Sequence, residues 1–485
     1  MNSNFFASNF ECLRKIFSII CVLFFLNAPL DSLSGDSKPN IIFIMVDDLG
    51  KDWISCYGAD NIQTPNIDHL ANDGIKFHNA WSMPQCTPTR ATLLTGKYPW
   101  RTGWVNHWDV PRWGVGYFDW QLNPSFSQAL KQSGYKNAIA GKWQINDFRV
   151  EPNAMQKHGF DEWCLWTGYE TGVKASALRY WHPYINTKEG SRTYPGEFGP
   201  DVYNNFLVNF ITENSDVPWC VYYPMALTHG PLVHTPNETR AEKTYPRFRA
   251  MIRYMDKLVG KIVKAVDDSG QAENTLIIFT TDNGSPGVLG TRDGIKPSGG
   301  KASRFEGGIC QPFIARWSGV IRPNSETNEL IDFSDLYPTF LELAGNQQPK
   351  DNKIDGHSFV GLLKGNKNYK SRKWILSMGY GPAVRDNRGV RGKLDYAPRV
   401  IRNKTYKVWV NSDRKIDKLY NLKNDPYEKF NLLEEGKLTK AEVNSIMKPF
   451  IEVVASMPIK DSRPKYRARK SNPWDKPINY KPGLY

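Results

Sequence analysis

Four oxygen-bearing side chains stand at the ends of two apolar runs. Asn40 to Val46 (NIIFIMV) passes directly into Asp47-Asp48, and Thr275 to Thr280 (TLIIFT) passes into Thr281-Asp282-Asn283. Three carboxylates and a carboxamide brought to one point repel one another unless a cation neutralises them. Oxygen-only ligation suits a hard cation such as Ca2+ or Mg2+. Each acid taken singly also reads as a turn or helix cap. A second constellation follows at Cys86, in CTPTRATLLTG. Pro88 fits the first turn of a helix running through Leu94, which puts Cys86 at a helix N-terminus, where free N–H groups favour an anion and would lower a thiol's pKa. A buried structural cysteine is the plainer alternative. A cysteine-based phosphatase loop is excluded by spacing, because it needs its arginine six positions after the cysteine and Arg90 comes four after.

These residues need a frame that brings strand ends together. Continuous apolar runs such as Asn40 to Val46 read as strands buried on both faces. Trp219 to Ala226 and the segment YKNAIAG before Lys142-Trp143 are further strand candidates. Phe126 to Ser133 reads as a short amphipathic helix, and Arg247 to Val266 carries Met251, Met255, Leu258, Val259, Ile262, Val263 and Val266 at helical period. Alternating strands and helices predict an α/β domain with a largely parallel sheet, whose ligands bind beyond the carboxyl ends of the strands. After about residue 370 the pattern changes. Arg399 to Val410 reads as a hairpin turning near Asn403-Lys404, with another short strand from Lys418 to Leu422. The expected organisation is a leader over 1–28 with cleavage between 28 and 35, a catalytic domain over 39–370, a small antiparallel-sheet domain over 371–456, and a solvated basic tail over 457–485.

Composition sets the class. The chain has 485 residues, 40% hydrophobic and 23% charged, which excludes disorder, collagen, coiled coil and a polytopic membrane protein as descriptions of the whole. Its net charge of +14 makes polyanions plausible partners. No zinc finger, basic zipper or aromatic-basic RNA-binding signature accompanies that charge, so nucleic acid is not expected as a partner. Arg14 and Lys15 precede the apolar run from Ile16 to Leu26, which reads as a signal peptide too short to span a bilayer. Export follows, to a periplasmic, extracellular or lysosomal-secretory location. Of seven cysteines, Cys12 and Cys21 lie in this leader; the odd number left, Cys56, Cys86, Cys164, Cys220 and Cys310, implies that at least one is free or otherwise used.

CTPTRATLLTG resembles the signature of the type I, formylglycine-dependent sulfatases, arylsulfatase-like members of the alkaline phosphatase superfamily. The blocks NIIFIMVDDLG, AGKW, THGP, TTDNG, GGKASRFEGG and LYNLKNDPYEKFNL also match that family, in its order. The resemblance covers about residues 39 to 432. It implies an alkaline-phosphatase-like large mixed, mostly parallel sheet sandwiched by helices, with a smaller C-terminal α+β domain containing an antiparallel sheet. It implies a sulfuric ester hydrolase in which Cys86 is converted to formylglycine by a maturation enzyme, its hydrated aldehyde supplying the nucleophilic oxygen. On this resemblance Asp47, Asp48, Asp282 and Asn283 match the ligands of one calcium ion, with magnesium the alternative. Arg90 matches the residue that holds the diol, Lys142 and Lys301 the lysines that bind sulfate oxygens, and His229 the histidine that assists the leaving alcohol.

One position departs from the pattern. Where most relatives carry histidine two positions after the lysine, this chain has Gln144. Glutamine can hydrogen-bond the diol or the sulfate but cannot serve as a base near neutral pH. His107, His234 or a loop carboxylate are substitutes for it. Trp100, Trp104, Trp108, Trp113 and Trp120 crowd one segment, and Tyr169, Tyr180, Trp181, Tyr184 and Tyr194 another; they read either as pocket walls or as core. The expected substrate is a sulfated carbohydrate, with simple aryl sulfates accepted artificially. A phosphomonoester or phosphonate hydrolase of the same superfamily is the enzymatic alternative, and a degenerate protein that only binds sulfated glycans is the other.

Overall fold

The computed structural model describes residues 38–479 apart from 109, 111–115, 167–178, 348–351, 380, 435–436, 474 and 476. The leader, Trp113 and Tyr169 lie outside the described residues. From Pro39 onward the chain forms one compact unit. Among the described residues no helix is long and apolar enough to cross a membrane.

Ten strands form the central sheet: β1 (Asn40–Val46), β2 (Ile75–Trp81), β3 (Lys136–Lys142), β4 (Glu162–Trp166), β5 (Tyr184–Thr187), β6 (Gly190–Thr193), β7 (Trp219–Pro224), β8 (Thr275–Thr281), β9 (Cys310–Arg316) and β10 (Ser325–Asp332). Their order is β10-β2-β9-β8-β1-β7-β3-β4-β5-β6. The middle is parallel, with β1 between β7 and β8 in register, so that Val46 pairs with Thr281 and the two acid-tipped ends fall side by side. β9 runs antiparallel to both β2 and β8, and β5 and β6 extend the far edge antiparallel. The sheet is therefore mixed.

Side chains alternate across a strand, and β1 uses both faces. Ile41, Phe43 and Met45 enter one core, against Leu94 of α2 (Cys86–Thr95), Phe126 of α3 (Phe126–Gln132) and Phe340 of α6 (Leu336–Leu343). Ile42, Ile44 and Val46 enter the other, with α1 (Pro65–Asn72), α4 (Gly199–Glu213) and α5 (Tyr245–Asp268). Each fully buried aliphatic side chain contributes roughly 1.5–3 kcal/mol. The predicted apolar stripe of α5 is buried throughout, and the helix extends two residues past Arg247 and Val266 at each end. α3 begins at a capping box made by Ser125 and Gln128.

The C-terminal part holds an antiparallel sheet of β11 (Ile375–Met378), β14 (Arg399–Arg402), β15 (Tyr406–Val410) and β16 (Ile416–Asn421), ordered β11-β14-β15-β16, and a hairpin of β12 (Ala383–Asp386) and β13 (Gly389–Gly392). The turn falls where the sequence places it, with Asn403 Oδ1 accepting from the backbone N–H of Thr405 and Tyr406. Phe450 and Val454 of α7 (Lys440–Ser456) pack on this sheet with Ile401, Val408 and Leu419.

The segment after α7 does not run free in solvent. Ser462 N–H donates to Trp100 O at 2.9 Å, Asn123 Nδ2 to Lys465 O at 3.0 Å, and Arg467 Nε to Asp119 at 2.7 Å. Asp119 is wholly buried, and a buried carboxylate demands such donors. The tail is a strap held against the body.

Candidate active site

The site is assembled at the carboxyl ends of β1, β3 and β8, where backbone leaves the ladder and side chains are free to converge. Asp47 and Asp48 follow β1, and Asp282 and Asn283 follow β8. All four are buried. Asp48 holds φ 64, a left-handed conformation of the kind that concentrates at functional sites. Its N–H donates to Asp282 Oδ1 at 3.0 Å, tying the two strand ends together.

Cys86 opens α2 as expected, with Pro88 in the first turn. Its Sγ lies 3.4 Å from Asp47 Oδ1 and 3.9 Å from Asp48 Oδ1. Arg90 stands one helical turn later on the same face. Its Nη2 is 3.2 Å from Asp282 Oδ2, and its Nη1 donates to Lys142 O at 3.0 Å. Thr89, unremarked in the sequence, donates to Asp282 O at 2.9 Å and so fastens the helix start to β8. Lys142, the last residue of β3, places Nζ 2.5 Å from Asp47 Oδ2, and Lys301 places Nζ 2.7 Å from Asp48.

Electrostatics correct one expectation. The helix N-terminus was to lower the Cys86 thiol; instead burial, then Asp282 and Asp47, raise it well above its ordinary value. A full desolvation penalty and two facing carboxylates outweigh a helix dipole worth about 1 kcal/mol. The unmodified cysteine is therefore a protonated thiol at neutral pH. Burial opposes ionisation of Asp47 too, but the cations Lys142, Arg90 and Lys301 more than compensate and hold it well below the usual carboxylate range. Asp282 is pushed up to about 7 by burial and by Asp47. Such a crowd of carboxylates is the arrangement a cation relieves.

His229 lies at the rim, with Nε2 3.5 Å from Asp48 Oδ2. Its Nδ1 is 2.7 Å from Gly230 O and 3.2 Å from Arg179 Nη1. Only one can be a hydrogen bond at a time, and the shorter contact assigns the proton to Nδ1, leaving the Nε2 lone pair toward the acids. Burial lowers its pKa to about 3 despite Asp48 and Asp47, so the resting imidazole is neutral. Arg179, stacked 4.0 Å over Trp166, and Tyr180, whose hydroxyl donates to His229 O, position this residue. No spacing or period in the sequence singles them out for this role.

Gln144 is buried at φ 77, and its Oε1 has no hydrogen-bond partner among the described residues. Of the suggested substitutes for a histidine there, His234 Nε2 is engaged by Arg247 at 2.9 Å. The aromatic residues are core more than pocket wall: Trp104 and Trp108 stack on each other at 4.6 Å, both 1% exposed. The five cysteines downstream of the leader form no disulfide.

The oxygen donors of Asp47, Asp48, Asp282 and Asn283 fit a hard cation. One ligand atom each from Asp47, Asp48, Cys86 and His229 lies within 4.8 Å of the others. Asn283 Oδ1 is buried without a hydrogen-bond partner, although its Nδ2 donates to Asp48 Oδ1 at 2.7 Å. An orphaned buried carbonyl is costly unless something electropositive meets it. The carboxylates of Asp47, Asp48 and Asp282 would supply the remaining oxygens.

The Sulfatase family model matches residues 39–346, and the model of the N-sulphoglucosamine sulphohydrolase C-terminal region matches residues 300–454. The chain is 31% identical to the N-acetylgalactosamine-6-sulfatase of Rattus norvegicus over 66% of its own length, and the match spans 64% of that protein. It is 28% identical to the N-acetylgalactosamine-6-O-sulfatase of Bacteroides thetaiotaomicron over 86% of its length and 94% of that protein. Among solved structures, Ps i-CgsB in complex with k-i-k-neocarrahexaose has a TM-score of 0.72 at 25% identity, covering 89% of this chain and 95% of that one. With the family's blocks in order and this fold around them, the chain belongs to the type I sulfatases of the alkaline phosphatase superfamily.

Proposed function

We propose that this chain hydrolyses sulfate monoesters on a sulfated carbohydrate, after Cys86 is converted to formylglycine by a maturation enzyme and with one calcium ion held by Asp47, Asp48, Asp282 and Asn283. The carrying observation is the convergence of a helix-start cysteine with three carboxylates and the cations Arg90, Lys142 and Lys301 in one buried cluster. The sugar class rests on the relatives named N-acetylgalactosamine-6-sulfatase and on the neocarrahexaose complex. Export, through the leader over 1–28, and domain boundaries near 370 and 456 belong to the same reading.

Three carboxylates face three cations, with Asp282 pushed up to about 7, so the cluster holds little spare positive charge for an arriving sulfate ester. Bound calcium would supply positive charge for the sulfate oxygens, and the formylglycine hydrate would supply the attacking oxygen. Lys142 and Lys301 carry flexible stems and are the groups able to turn from the carboxylates to the peripheral sulfate oxygens. Charge growing there in the transition state is stabilised by such fixed donors more than by water. Arg90, locked between Asp282 and Lys142 O, orients residue 86. His229, its Nε2 lone pair toward the cluster at rest, is placed to take a proton from the attacking hydroxyl and pass it on to the leaving alcohol. Gln144 can offer only hydrogen bonds.

The test is sulfate release from 4-nitrophenyl sulfate and from a 6-sulfated N-acetylgalactosamine, using protein co-expressed with a formylglycine-generating enzyme. Activity lost to EDTA and restored by calcium is expected. Faster turnover of 4-nitrophenyl phosphate would move the assignment to a phosphomonoesterase. Saturable glycan binding without release, from converted protein, would leave only a binding role.

A further inference from the structure

We infer that the C-terminal strap and the β12–β13 hairpin form a docking track for a polysulfated carbohydrate chain, built from residues outside the reacting cluster. Two cavities carry it. One, of about 380 Å3, is lined by Arg388, Arg391, Arg463, Lys465 and Arg469 against the single carboxylate of Asp386. The other, of about 410 Å3, is lined by Lys97, Arg101, Lys353, Lys460 and again Lys465, with no acid in its wall. Lys465 and Leu122 line both, so the two are contiguous along the strap.

Neighbouring acids cancel only part of this charge. Arg101 pairs with Asp355, Arg469 with Asp475 and Lys460 with Asp395, while Arg391 and Arg463 share Asp386. Arg388, Lys465, Lys97 and Lys353 make no side-chain ion pair among the described residues. Uncompensated like charges held side by side cost energy, and an anionic polymer laid across them recovers it. Burial, then Lys465 and Arg101, hold Lys97 below its ordinary pKa against the partial pull of Asp355.

The track is a built feature. Gly103 holds φ 80, and a Cβ there would sit 2.0 Å from Arg463 C, so the body is shaped to admit the strap. Tyr466 anchors it on Trp108, whose ring lies 5.9 Å away. Trp108 N–H in turn donates to Thr87, the neighbour of Cys86, at 3.0 Å. From Lys460 to Arg469 the strap has no regular structure, and extended it spans at most about 30 Å. That reach suits several sugars of one chain, each bearing sulfate.

The choice of glycan over nucleic acid rests on the proposed sulfatase activity, and the experiment separates the two claims. Arg388, Lys465 and Lys353 are exposed, so the triple variant Arg388→Ala, Lys465→Ala, Lys353→Ala is expected to fold. Binding of a heparin octasaccharide should weaken at least tenfold, with a shallower dependence of log Kd on log salt. Turnover of 4-nitrophenyl sulfate should be unchanged. A control removing three charges elsewhere, Lys364→Ala, Lys367→Ala, Lys370→Ala, should bind as the parent does. Unchanged affinity in the first variant, an equal loss in the control, or equally tight binding of single-stranded DNA of matched charge would overturn the track. Failure of the parent to hydrolyse 4-nitrophenyl sulfate would instead strike the proposed activity.

Discussion

At the residue scale the proposed activity depends on fixed charge around residue 86. Lys142→Ala removes a cation 2.5 Å from Asp47, and Lys301→Ala one 2.7 Å from Asp48. Each should lower kcat for an aryl sulfate by roughly 10²–10³-fold, about 3–4 kcal/mol of barrier, as loss of a preorganised donor does. An effect confined to KM would mean the lysines hold ground state and transition state alike. Gln144→His places a group of ordinary pKa near 6.5 beside Lys142. Burial and Lys142 should both hold that imidazole below its ordinary value, so the variant's kcat should acquire a pH limb below about 6.5 that the parent lacks; identical profiles would show that position 144 does not reach the reacting groups. That Cys86, Arg90, Asp47, Asp48, Asp282, Asn283, Lys142, Lys301 and His229 come together in one place was legible, because each stands at a strand end, a first helical turn or a motif whose order survives in one dimension. The direction of the Cys86 pKa was not. It depends on burial and on carboxylates brought from β1 and β8, contacts across 39 and 196 positions of chain that no local pattern records.

At the element scale, β3 must end where Lys142 can reach Asp47, and Gly141 makes that possible. It holds φ 117, and a Cβ would meet Pro224 O at 2.1 Å. Gly141→Ala should therefore cost more than about 2 kcal/mol by urea unfolding and lower kcat by displacing the lysine. Full stability with unchanged kcat would contradict that role. Beneath the same region His158 is wholly buried, its Nε2 donating to Phe118 O at 3.0 Å. Burial lowers its pKa from 6.5 to about 4, so as pH falls through that window the unfolded chain takes up a proton the folded one refuses. The stability this group contributes is complete above 6.5 and lost toward 4, about 2–3 kcal/mol between pH 7.5 and 4.5. His158→Gln keeps a donor without titrating, and its unfolding free energy should lose that much less over the same interval. β1, β8, α5 and the β14–β15 hairpin were readable from apolar runs, helical period and turn residues. β9 and β10 were not: Pro312 interrupts the first, and the second, an edge strand, begins with the polar, partly exposed Ser325 to Asn328.

At the scale of the whole molecule, part of the basic excess lines the two cavities where the strap crosses the body. Composition gave the sign of that charge but not its place, because the strap's seat at Asp119, Trp100 and Gly103 joins residues more than 300 positions apart. Crowded tryptophans likewise could not be sorted between core and pocket until both sheet faces were filled. The proposed chemistry, however, is local to one side chain. The measurement that tests it most directly is the mass of the proteolytic peptide containing residue 86, from protein made beside a formylglycine-generating enzyme. An aldehyde or its hydrate in place of the thiol is expected. An intact cysteine, under conditions that convert a control sulfatase, would contradict it.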